Sequence, residues 1–136
     1  MKRRNVGCLI TLGAILFVFA GFWMVPSRAR RSLPWNATDI HEFYEAARFG
    51  SDFKRCLKAK MEERDFDAYA TRLMLTEIYD PGRHADLGIH WGHCEESWWD
   101  PPESLAGVRF ESSKGEEYFA IADWQEGYVY FYVLSW

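Results

Sequence analysis

The most pronounced hydrophobic pattern in the chain is an uncharged run from Gly7 to Val25. A helix of that length spans about 28 Å, close to the hydrocarbon thickness of a bilayer. Pro26 and a basic stretch follow it, as is typical of a boundary between membrane and water. The pattern therefore predicts a basic head at residues 1–6, a transmembrane helix at residues 7–25 and a basic linker at residues 26–34.

The same segment has an alternative interpretation as a cleaved export signal. Val18 and Ala20 fit a small-residue cleavage pattern before Gly21. The apolar run continues beyond that point and exceeds an ordinary signal core, which favours an uncleaved anchor. The basic cluster at residues 2–4 favours an N-terminus inside the cell. We therefore expect a single-pass membrane protein with an extracytoplasmic body, or a secreted body if the signal is cleaved.

Beyond the linker, shorter periodic patterns predict a folded domain at residues 35–136. Apolar positions at helical spacing predict helices over residues 36–49 and 62–75. The first of these helices depends on four positions: Ile40, Phe43, Tyr44 and Ala47. Alternation of apolar and polar residues predicts a strand over residues 52–61 and three more over 107–112, 116–124 and 128–135.

Together these elements predict an α+β fold, a small two-layer domain with two helices on an antiparallel sheet of about four strands. Turns that contain Gly115 and Gly127 would connect the last three strands. The predicted inward set of these strands is Val108, Phe110, Phe119, Ile121, Val129, Phe131 and Val133.

The opposite face of this sheet is unusually aromatic for a surface left to water. Its members are Tyr118, Trp124, Tyr128, Tyr130, Tyr132 and Leu134. Residues 76–103 form a long aperiodic segment that is rich in tryptophan, and it could fold over this face. Alternatively the face is an aromatic platform for a partner. The candidate binding residues are Trp91, Trp98, Trp99, Tyr128, Tyr130 and Tyr132.

Charge is distributed unevenly along the chain, which has a net charge of −4. The first 31 residues are basic and contain no acid, so the body is strongly acidic. Because phosphate recognition needs a basic surface, nucleic acid is not expected as a partner. The membrane, through residues 7–25, and an unidentified protein or ligand are the expected partners.

Cysteine and histidine supply the candidate chemistry. Outside the cytoplasm Cys56 and Cys94 could form a disulfide, and two buried thiols are the alternative. His84, His90, His93 and Cys94 offer nitrogen and sulfur ligands of the kind zinc accepts, but their spacing matches no established zinc pattern. Polar-loop histidines explain the cluster better, so we expect neither a metal nor another cofactor.

Three scattered stretches carry a resemblance. They are Leu33-Pro34 with Ala37 and Asp39-Ile40-His41, Lys58-Ala59-Lys60 with Phe66, and Gly127-Tyr128-Val129-Tyr130. With these stretches the chain resembles small uncharacterised bacterial exported or membrane-anchored proteins. The resemblance implies a bacterial envelope location and transfers no functional residue, because that group has no assigned activity.

Three hypotheses for function remain open. The first is a membrane-anchored protein whose aromatic extracytoplasmic domain acts as a binding module, because aromatic anchors are enriched at interfaces. The second is a metal-dependent or thiol enzyme that uses His90, His93 and Cys94. The third is a structural envelope protein without a ligand. The sequence contains no motif for nucleophilic catalysis, so we do not expect an enzyme.

Overall fold

The computed structural model describes residues 26–46, 52–112 and 118–135, and its main element is an antiparallel sheet. The sheet has six strands in the order β1-β2-β6-β5-β4-β3. All neighbouring strands are antiparallel. The strands are β1 Thr38–Ala46, β2 Phe53–Lys60, β3 Glu77–Ile78, β4 Arg109–Ser112, β5 Tyr118–Gln125 and β6 Tyr128–Ser135.

The described helices are short. The α-helices are α1 Arg28–Arg31, α2 Phe66–Arg72 and α3 Pro81–His84, and the 3₁₀ helices are Glu63–Asp65 and Ala85–Leu87. Within the described ranges, none of these helices has the length and apolarity needed to cross a bilayer. The helix predicted for residues 7–25 lies outside the described residues. Residues 26–34, predicted as a linker, include α1, and Ala29 and Leu33 are buried in the domain.

The predicted two-layer α+β fold is wrong, and the main reason is β1. The helix predicted over residues 36–49 is, in its described part, an edge strand that pairs with β2. Ile40, Phe43 and Tyr44 fit helical spacing, but they are residue types that favour strands. In the strand, Ile40 packs on one side of the sheet and Phe43 on the other. The helix predicted over residues 62–75 is present as the shorter α2.

The predicted inward set is also wrong, because β5 is displaced by one residue relative to β6. Glu126 and Gly127 both have positive φ and form a two-residue turn, as type I′ hairpins require. Trp124 consequently pairs with Val129, and Ile121 pairs with Tyr132. Because side chains alternate between faces, a displacement of one residue exchanges the faces of a whole strand.

One face of the sheet, here called the helix-side face, packs against α1 and α2. Its central positions are small or aliphatic except for Phe131, and Tyr69 of α2 is completely buried against them. Trp124 donates from its indole nitrogen to the carbonyl of Met61 at 2.9 Å, which closes the end near the β5–β6 turn. The buried sheet residues of this face are Leu57, Ala59, Ala120, Ala122, Val129, Phe131 and Val133.

The other face, here called the loop-side face, is covered by residues 79–108, the tryptophan loop. Cys56, Phe110, Phe119, Ile121, Tyr130 and Tyr132 are its buried sheet residues. Tyr79, Ile89, Cys94 and Val108 of the loop pack on them. The loop therefore supplies the second half of the core. The predicted fold placed neither of its two helices on this face.

Candidate binding surface on the loop side

A disulfide joins the tryptophan loop to the sheet. Cys56 of β2 and Cys94 of the loop form it, and both residues are buried. Gly92 lies against Tyr132 so closely that a Cβ atom at this position would overlap the phenol ring. The bond and this close contact hold the centre of the loop on the sheet, so the side chains that flank it occupy defined positions.

The three loop tryptophans form a chain of ring contacts above the tyrosines of β6. Trp98 and Trp91 each meet Trp99 edge to face, with ring centroids 6.0 Å apart. Trp99 also lies 6.0 Å from Tyr130, and its indole nitrogen donates to the Gly92 carbonyl at 2.9 Å. All three tryptophans are half-buried. They combine a fixed position with an accessible edge.

Beside Trp99 an ammonium group lies over two tyrosine rings. The Nζ atom of Lys58 is 4.7 Å from the ring centroid of Tyr128 and 5.3 Å from that of Tyr130. It donates to Asp100 Oδ1 at 2.5 Å, and the Tyr130 hydroxyl donates to the same oxygen at 3.3 Å. We call these four residues the Lys58 cluster. Its ring and carboxylate contacts are those that stabilise a partly desolvated cation.

The charge state of this cluster follows from its contacts. Burial by itself lowers the pKa of Lys58, but the hydrogen bond to Asp100 and the interaction with Tyr130 outweigh it and raise the pKa above its ordinary value. The side chain of Lys58 is 14% exposed, whereas that of Asp100 is 64% exposed. The cation is thus enclosed, and the carboxylate is accessible to a partner.

A second polar group extends the surface to the edge strand. Asp39 accepts from His41 Nε2 at 2.8 Å and from the Tyr128 hydroxyl at 3.2 Å. The bond with His41 is the main reason that the pKa of Asp39 is lowered. Asp39 has a positive φ of +49° and lies where the β1–β2 register shifts. This irregularity in β1 sets the direction in which the Asp39 carboxylate extends. His41 stacks on Trp98, with ring centroids 5.4 Å apart.

A cleft of about 370 Å³ opens next to the Lys58 cluster. Asp100, Glu103 and Glu126 contribute carboxylates, and only Lys58 contributes a cation. The cleft can therefore receive a basic group at its rim while the tyrosines provide apolar contact. Its lining residues are Lys58, Asp100, Pro101, Pro102, Glu103, Gln125, Glu126, Tyr128 and Tyr130.

The histidines considered as metal ligands are dispersed. His84 packs on Phe110 at 5.0 Å and accepts from the Asp80 backbone, while His90 contacts the Gly88 carbonyl and His93 is exposed. The sulfur of Cys94 is in the disulfide. Across residues 26–46, 52–112 and 118–135, no three histidine, cysteine or acidic side chains are grouped so that they could hold a metal.

Of the predicted binding residues, the structure brings Trp98, Trp99 and Tyr128 to one surface, and Tyr130, although buried, lines the cleft beside them. Tyr132 is buried beneath Gly92, and Trp91 lies behind Trp99 with its buried indole N–H lacking a described hydrogen-bond partner. Sequence reasoning did not identify Asp39, His41 and Asp100 as polar residues of this surface.

From the sequence alone, the row of Lys54, Lys58 and Lys60 is expected to protect a sheet edge or, alternatively, to dock an anionic partner. Edge protection is wrong, because β2 is an interior strand between β1 and β6. The strand alternation that places Lys58 on the face of Cys56 was visible in the sequence. It was the signal from which the position of Lys58 could have been predicted.

Comparison of the chain with protein-family models, curated proteins and solved structures gave no match.

Proposed function

We propose that this protein is an extracytoplasmic binding module whose binding surface is the Lys58 cluster, the adjoining cleft and the edge of Trp98. The observation that carries the proposal is the fixed aromatic arrangement around Lys58 beside an accessible acidic cleft. Rigid aromatic side chains provide large contact area at low entropic cost, which is why they dominate interface hot spots.

The chemistry of the cleft favours a partner that carries basic groups. Asp100 is the most accessible member of the cluster, and Glu103 and Glu126 are exposed. Lys58 neutralises one of these three carboxylates, so the cleft keeps an excess of negative charge. A lysine or arginine side chain of a partner protein would meet carboxylates at the rim and tyrosine rings inside.

The disulfide supports the proposed compartment. Disulfides persist in oxidising compartments and are rare where thiols are kept reduced. The Cys56–Cys94 bond lies inside the core, so it stabilises the structure and is not accessible for redox exchange. We propose that the apolar segment at residues 7–25 delivers the domain to such a compartment, either as an anchor or as a cleaved export signal.

Site-specific photo-crosslinking in the producing cell tests this function. A benzophenone amino acid replaces Tyr128 at the cleft, and the control replaces Tyr44, which is 53% exposed and lies on the helix side. We expect a discrete protein adduct from position 128 that is absent from position 44. Trp98→Ala in the same chain should remove the adduct, whereas Trp35→Ala, at a residue that is 98% exposed, should not.

Two results would contradict the proposal. The first is the same adduct pattern from positions 128 and 44, because it would indicate proximity without a specific site. The second is an adduct from position 128 that Trp98→Ala leaves unchanged although the variant retains its disulfide and its thermal midpoint.

A further inference from the structure

The helix-side face carries a second concave site, remote from the Lys58 cluster. A groove of about 500 Å³ lies between α1, the end of α2 and strands β2, β5 and β6. Ala120, Phe131 and Val133 form its buried floor, and Phe53 and Leu73 form its walls. This volume is in the range of small-molecule sites, and most such sites are apolar with a few placed polar groups.

Polar groups lie at the margin of this groove. Arg28 lines it and donates from Nη2 to the carbonyl of Arg72 at 2.9 Å. None of the ion pairs among the described residues involves Arg28, although Glu111 lines the same groove. Arg55 also lines the groove, but Glu42 accepts from its guanidinium at 2.5 Å. Arg28 is therefore the cation that remains for a ligand.

Two further groups lie near Arg28 and limit the ligand's charge. Burial raises the pKa of Tyr118, Glu111 raises it further and Arg28 lowers it, which is consistent with the three side chains sharing one end of the groove. A carboxylate there would balance Arg28, and Glu111 would repel a doubly charged phosphate more strongly than a singly charged carboxylate. The polar end therefore fits an anion with a single charge.

We propose that this groove binds a free fatty acid, with the hydrocarbon chain on Ala120, Phe131 and Val133 and the carboxylate at Arg28. The ligand must be amphiphilic because the floor is apolar and Arg28 is the lining cation that makes no ion pair among the described residues. A volume of about 500 Å³ accommodates a single hydrocarbon chain. The proposal is independent of the binding function assigned to the loop side.

The test uses the full-length chain in phosphatidylcholine nanodiscs and dodecanoic acid that carries a diazirine near the end of its chain. After irradiation, mass spectrometry should find the label on the segment that contains Phe131 and Val133 or on Met74 at the groove wall. Unlabelled dodecanoate should compete at least tenfold better than dodecanol. Each methylene added to a shorter competitor should improve competition about fourfold until the groove is full.

Variants of α1 identify the role of the charge. Arg28→Gln should reduce labelling about tenfold or more, because an ionic hydrogen bond is lost. Arg28→Lys should restore part of it. Arg31→Gln is the matched control, since Arg31 is exposed on the same helix and does not line the groove. Both positions are exposed, so neither substitution removes core packing.

The proposal is overturned if dodecanol competes as well as dodecanoate, or if Arg28→Gln labels like Arg31→Gln. It is also overturned if the label appears only on residues 7–25, because the fatty acid then reports the bilayer or the N-terminal segment itself. Saturable labelling of the groove that depends on Arg28 supports it.

Discussion

Removal of the Cys56–Cys94 disulfide should weaken the domain severely, and the size of the effect follows from the structure. The bond closes a segment of 38 residues. On the chain-entropy model, a cross-link that closes a loop of this length lowers the entropy of the unfolded chain. It thereby adds about 4 kcal/mol to the free energy of unfolding. Small domains are stable by only about 5–15 kcal/mol, so the loss is a large fraction of the total. Few regular hydrogen bonds hold the tryptophan loop otherwise, since its regular elements are only the short helices Pro81–His84 and Ala85–Leu87.

The assay is urea unfolding of the full-length chain, followed by tryptophan fluorescence. The parent, the double variant Cys56→Ala/Cys94→Ala and the control Cys8→Ala are compared with and without reductant. We expect the double variant and the reduced parent to lose about 4 kcal/mol, and Cys8→Ala to behave like the parent. Hydrogen exchange should show greater loss of protection in residues 79–108 than in β1 and β2. A loss below about 1 kcal/mol, with the loop still protected, would refute the reasoning.

Three smaller perturbations test other contacts by thermal unfolding. Gly92→Ala should cost about 1–3 kcal/mol through overpacking, whereas Gly82→Ala, with only a flexible side chain nearby, should change stability by about 0.5 kcal/mol or less. Burial raises the pKa of Asp123, so ionisation of this carboxyl opposes folding. Asp123→Asn should therefore raise the thermal midpoint at pH 7. The gain should vanish below about pH 4, where the carboxyl is protonated in both the folded and the unfolded chain. Asp100→Asn should cost about 0.5 kcal/mol at pH 7. Because the pKa of Lys58 is raised in the folded protein, that cost should persist up to about pH 10.4, the ordinary value for lysine, and should be lost only at higher pH, as the ammonium of the folded protein loses its proton.

Local alternation was sufficient to predict most of the sheet. The strands predicted at residues 52–61, 107–112, 116–124 and 128–135 each correspond to an observed strand within a few residues. Those segments combine β-branched or aromatic residues with turns, and local preference and tertiary pairing agree there. The segment at residues 38–46 carries the same residue types, but its spacing also fits a helix. Pairing with β2 decided in favour of the strand.

The face assignment depended on one residue of turn length. A three-residue turn before Tyr128 would give the predicted inward set, and the observed two-residue turn gives another. As a result Phe119 and Ile121 lie with the tyrosines of β6 under the tryptophan loop. The length of a tight turn depends on its backbone conformation. The residues Gln125-Glu126-Gly127 are compatible with either a two-residue or a three-residue turn, so the sequence does not decide between them.

The binding surface was predictable in its aromatic part only. An excess of tryptophan and tyrosine is visible in the composition, whereas the Lys58 cluster joins residues that are distant in sequence. Asp100 is 42 positions from Lys58, and the two meet only because the loop folds over the sheet. Contacts of this kind depend on the path of an aperiodic loop, for which the sequence has no periodic signal.

The central claim is an extracytoplasmic domain whose binding surface is held by a disulfide, and the thiol state in the living cell tests it most directly. Cells are quenched with acid, the denatured protein is treated with a maleimide polymer, and the mass shift is measured on a gel. The chain has three cysteines. We predict at most one modified thiol, Cys8, without reduction and two additional ones after reduction. Modification of all three cysteines before reduction would contradict the account.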